Sequence, residues 1–143
     1  MREWILGIWL GIQGYWDFKF KEIPLWFSLI GGGVGLLFCV IEQRDFLQVV
    51  ISCIPGMCAL VFSWTSKEAM GYGDGIVILI LGCYLSLSQL LFVTLLALGL
   101  AGVFALVLLV FFHKRGKYRI PFIPFLGIAY GIHYVIKIGE SVF

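Results

Sequence analysis

Two aspartates carry the chemistry this chain has to offer. Asp74 closes the tetrad Gly71-Tyr72-Gly73-Asp74 at the head of an apolar run, and Asp17 stands just past the end of an earlier one. A carboxylate at a membrane edge is expensive unless it is paired or hydrated, so two of them argue for a working site. Two carboxyl groups whose surroundings pull their protonation apart can hydrolyse a peptide bond. The ionised member takes a proton from water, while the other, kept protonated by its neighbour's charge, donates to the scissile carbonyl. Such a pair titrates as a unit, so neither role is assigned to either residue.

Each acid also has a structural reading. Asp74 precedes a helical run and is a favoured N-cap type, whose carboxylate would accept backbone N–H groups of the first turn. Asp17 lies near Lys19 and Lys21 and would be solvated at an interface. Gly71, Gly73 and Gly75 tilt the reading of Asp74 toward function, because a cap needs no clearance whereas an approaching chain does. Gly71 and Gly73 are accordingly the expected substrate-binding positions, with residues 65–73 holding an extended peptide through main-chain hydrogen bonds.

The elements that must position these acids follow from composition. Hydrophobic residues make up 62% of the 143 and charged residues 13%, which marks an integral membrane protein. Apolar runs fall at 4–16, 23–41, 46–64, 75–87, 90–112 and 120–136. A helix continuous from 75 to 112 would be about 57 Å long, too long for one crossing, so a turn is placed at Ser86-Leu87-Ser88-Gln89. The expected fold is all-α, a single polytopic membrane domain over residues 1–143 with about six transmembrane helices. Counting Lys and Arg with the amino terminus outside puts Lys19, Lys21, Lys67, Lys114, Arg115, Lys117 and Arg119 inside, against Arg2, Arg44 and Lys137 outside. Both aspartates then face the cytoplasm. Gly7 with Gly11, Gly31 with Gly35 and Gly127 with Gly131 are spaced for close helix packing.

Met70-Gly71-Tyr72-Gly73-Asp74 resembles the GxGD signature of type IV prepilin peptidases. Asp17-Phe18-Lys19-Phe20-Lys21-Glu22-Ile23-Pro24 resembles the segment after their first helix, and Ile120-Pro121-Phe122-Ile123-Pro124-Phe125 the proline-bearing start of their last. The resemblance spans the chain and implies Asp17 and Asp74 as the catalytic pair of an intramembrane aspartyl endopeptidase. It implies a location in a prokaryotic plasma (inner) membrane. It further implies a pilin-like precursor as substrate, cut after a glycine that ends a short basic leader. Leu25 and Ile76 stand where the family often has Asn and Lys, so leader recognition is expected to differ. Long members carry a cysteine-paired cytoplasmic region and methylate the new amino terminus; that region is missing here, and peptidase activity without methyl transfer is expected.

Other chemistry is poorly supplied. Cys39, Cys53, Cys58 and Cys83 sit in apolar runs without CxxC spacing and read as buried small hydrophobes, so neither a metal site, a cofactor nor a disulfide framework is expected. His133, inside the last run, is expected to make a structural hydrogen bond. The basic stretch 113–119 suits anionic lipid headgroups, and a net charge of +2 with no broad basic surface excludes nucleic acid as a partner. The alternative from another class is a small transporter or channel using Asp17 and Asp74 as proton or cation sites.

Overall fold

A computed structural model describes residues 1–66, 71–112 and 120–143. Six helices and no strands are found among them: α1 (Arg2–Phe20), α2 (Leu25–Ile41), α3 (Phe46–Thr65), α4 (Tyr72–Tyr84), α5 (Leu87–Phe112) and α6 (Ile123–Val142). The all-α expectation is met, with shifted boundaries. α1 runs through Asp17 to Phe20 and α4 takes in Asp74, so each aspartate lies inside a helix instead of beyond an apolar run. The break between α4 and α5 falls at Leu85 and Ser86, slightly before the expected turn.

Among the described residues two helices, α3 with 20 residues and α5 with 26, are long and apolar enough by themselves to cross a membrane, fewer than the six expected. α2 is apolar but has only 17 residues, and α1 carries Arg2, Glu3, Asp17 and Lys19. The 13 residues of α4 reach about 20 Å, short of a hydrocarbon slab about 30 Å thick. Burial explains why so short a helix persists. α4 hides residues all round its circumference, including Val77, Ile78, Leu81 and Tyr84, and it packs on α2, α3 and α5. It is the central element. The outward faces of α3 and α5 instead present large apolar side chains such as Phe46, Val61, Leu95 and Leu106.

Close contact between α3 and α4 depends on small residues. A Cβ added at Gly56 would lie 2.3 Å from Leu79 Cα, and one at Gly82 would lie 2.6 Å from the Ser52 carbonyl oxygen. Ser52 and Ser63 are buried on the same helix as Gly56. Of the expected glycine pairs, Gly31 and Gly35 are tight, facing Trp9 and Tyr84. Gly11 and Gly131 meet open space.

Polar anchors mark the end of the bundle that holds the α1 amino terminus. Arg2 pairs with Glu42, and Lys137 with Glu3. Arg44 donates to the carbonyls of Cys83 at 2.8 Å and Leu85 at 3.4 Å, placing a cation at the carboxyl end of α4. The Tyr84 hydroxyl donates to Gly31 O at 2.6 Å. Cys39 and Cys83 are buried as expected, but Cys58 is exposed on the outer face of α3. His133 also departs from expectation: among the described residues its ring packs 5.7 Å from that of Phe92 and makes no hydrogen bond, because its turn of α6 faces the aromatic side of α5. The basic stretch 113–119 and part of the 65–73 segment lie outside the described residues.

Candidate active site

Alternating helix directions bring the carboxyl end of α1 and the amino ends of α2, α4 and α6 to the opposite end of the bundle. A cavity of about 350 Å³ opens between them. Its walls are Asp17 and Lys21 from α1 and its cap, Glu22, Ile23 and Leu25 at the entry to α2, the tetrad Gly71 to Asp74, and Ile120 to Phe122 ahead of α6. Two acids 57 positions apart therefore line one space.

Asp17 is 7% exposed, so it is a buried side chain and not an interfacial, solvated one. Its Oδ2 accepts the backbone N–H of Ile123 at 3.2 Å. Ile123 opens α6 and Pro124 follows, so this amide is one of the donors that a helix start leaves unpaired. A carboxylate there also meets the favourable end of the α6 dipole. Gly14 permits the approach, since a Cβ on it would already lie 3.3 Å from Pro124 Cα.

After Asp17 the chain must turn sharply toward α2. Lys21 does this in the left-handed region at φ 54°, its amide donating to Asp17 O at 2.9 Å. A non-glycine residue there is strained by roughly 1 kcal/mol, and the turn swings Lys21 and Glu22 to the cavity wall.

Asp74 is partly buried at the third position of α4, with its amide bonded to Gly71 O at 3.1 Å. Gly71 is the N-cap residue, so the capping reading of Asp74 does not describe its place; it sits inside the first turn of α4. Gly75 behind it lets Leu60 of α3 come close. Gly73 has an occupant of its own: a Cβ there would fall 2.2 Å from Ile23 Cδ1, so this glycine makes room for the chain entering α2.

Asp17, Asp74, Gly71 and Gly73, the residues singled out in the sequence, all line this cavity. Lys21, Glu22 and Tyr72 were not anticipated. The one signal for them was position, next to the Asp17 segment or within the glycine tetrad. Among the described residues no group of three or more His, Cys, Asp or Glu side chains is arranged to hold a metal ion.

A model of the type IV leader peptidase family matches residues 4–107, most of the chain and both aspartates. The chain belongs to the type IV leader peptidase family. Members of this leader peptidase family are membrane-associated and process prepilin substrates. Comparison with curated proteins and with solved structures gives no significant match.

Proposed function

We propose that this leader peptidase is an intramembrane aspartyl endopeptidase in which Asp17 and Asp74 activate water. The observation that carries the reading is the shared cavity, since an aspartyl pair needs both carboxyl groups on one water and one peptide. The ionised carboxylate takes a proton as water oxygen attacks the scissile carbonyl carbon, and the protonated partner donates to the carbonyl oxygen. Collapse of the tetrahedral intermediate then breaks the C–N bond as the leaving nitrogen receives a proton. Ile123 N–H on Asp17 holds one carboxylate in place during these transfers.

The substrate is a pilin-like precursor whose basic leader lies in the cytoplasm and whose apolar helix lies in the bilayer. Glycine before the cut weakens the helix by about 1 kcal/mol and lets the bond unwind into the cavity. The backbone at Gly71 and Gly73 flanks the extended leader. All six helices lie in a prokaryotic plasma membrane, the short α4 shielded by its neighbours, with the cavity facing the cytoplasm. What supports that sidedness is the sequence count, in which seven basic residues fall on the cavity side against Arg2, Arg44 and Lys137 at the other end.

The test is to incubate the purified protein in liposomes with a pilin-like precursor and weigh the products. Two fragments whose masses sum to precursor plus one water, divided after the leader glycine, are expected. An intact precursor under every condition, with proton or cation flux across the same liposomes, would replace the peptidase with a transporter.

A further inference from the structure

Gln13 is one turn from Asp17 on the same face of α1: four residues advance a helix by about 6 Å and rotate it only about 40° beyond a full turn. Its side chain has no exposure at all. Gln13 Nε2 donates to Ser28 Oγ at 2.8 Å, and Ser28 Oγ in turn donates to Pro24 O at 3.3 Å. Because the serine proton is committed to Pro24, the serine must accept, and this fixes which end of the amide faces it. Gln13 Oε1 is thereby turned away from Ser28, buried, and without a hydrogen-bond partner among the described residues. Leaving a buried carbonyl oxygen unpaired is unfavourable, and a core position one turn below a cavity is an odd place to keep one.

Asp17, one turn away, can offer a donor only when it carries a proton. An ionised carboxylate accepts and does not donate; the protonated acid gains one O–H. We propose that Gln13 is a positioning residue for Asp17, its Oε1 accepting the carboxyl proton at the stage of the cycle when Asp17 is the protonated member of the pair. The proposal rests on the dyad reading above and adds a specific holder for its proton. Ser28 orients the amide, and Pro24, at the start of α2, ties that orientation to the cavity rim.

The sign of the effect follows. An acceptor that bonds only the neutral acid makes the dyad keep its last proton to higher pH, so it sets the alkaline limb of the rate profile. Other groups around Asp17 act on the same limb. Lys21 favours ionisation, and Asp74 and Glu22 oppose it. Tyr72 lies on the α4 side, the Ile123 amide comes from α6, and α2 contributes uncharged Ser28. Gln13→Leu leaves all of these in place.

The experiment is the pH profile of kcat for precursor cleavage by wild type, Gln13→Leu and Ser28→Ala in liposomes. Gln13→Leu is expected to move the alkaline limb down by about half to one pH unit with KM unchanged, the size of one net hydrogen bond. Ser28→Ala, which frees the amide to turn, is expected to move it the same way by less. If Gln13→Leu does not accumulate in the membrane, Ser28→Ala decides alone. A purely structural Gln13 would lower the melting temperature and leave the limb where it was. Wild type that cuts, with the limb unmoved in the variants that fold, overturns the role of Gln13 and leaves the dyad standing. Wild type that cuts no precursor removes both.

Discussion

Gly56→Ala is the sharpest small perturbation available, because it adds one carbon at the seam that holds α4. That carbon would lie 2.3 Å from Leu79 Cα and 2.4 Å from Leu79 N, both backbone atoms that no rotamer change can move. Comfortable carbon–carbon contact is about 3.7 Å, so α3 and α4 must part by about 1.4 Å. Overpacking of this kind destabilises by about 1–3 kcal/mol, more than the gain of up to about 1 kcal/mol from better helix propensity. The shift also reaches the chemistry. Leu79 is five residues from Asp74 on the same short helix, and a misplacement of roughly 1 Å can slow an enzyme about 100-fold. Precursor cleavage in liposomes should therefore show kcat reduced by roughly two orders of magnitude and a lowered thermal melt. Gly33→Ala on α2, where a Cβ meets nothing within 4 Å, should behave as wild type. A Gly56→Ala protein that melts and cuts like wild type would refute the idea that α3 sets the position of Asp74.

Three further outcomes are expected. Asp17→Ala should melt lower than Asp17→Asn by about 1 kcal/mol, because asparagine keeps an oxygen for the Ile123 amide and alanine does not; equal melts would show that this bond contributes nothing. Arg44→Leu strips the Cys83 and Leu85 carbonyls of a charged donor and should destabilise by about 2 kcal/mol while the folded fraction keeps its kcat, since Arg44 lies at the far end from the cavity; a normal melt would contradict it. Gly73→Ala should impair cleavage through its clash with Ile23 Cδ1, and Ile23→Ala should restore it in the double variant; failure of that rescue would show that the clash with Ile23 is not what limits cleavage.

The residues explain what was and was not legible. Asp17 and Asp74 stood out because charged side chains in an apolar sequence are rare, and the helix count followed from the apolar runs. Which helices stand clear of their neighbours did not follow. The run that becomes α4 reads like the others, yet its burial depends on α2 and α3 lying on either side, and no local pattern encodes that. Gly31 and Gly35 were visible as a pair on one helix face, whereas Gly56 and Gly82 serve opposite sides of a single seam, and only the packed helices relate them. Asp17 looked solvated next to Lys19 and Lys21; its burial comes from α6, more than a hundred residues along the chain. Gly73 was legible as a position that needs clearance, but that Ile23, from the turn into α2, comes so close to it was not.

The most direct test of the paired carboxyl groups is precursor cleavage by Asp17→Asn, Asp74→Asn and the double variant, each checked for insertion and folding. Groups that act as one unit are grossly non-additive, so either single change should reduce cleavage to the same background as the double. A folded single variant that retains a substantial part of the wild-type rate would contradict the shared hydrolytic role of Asp17 and Asp74.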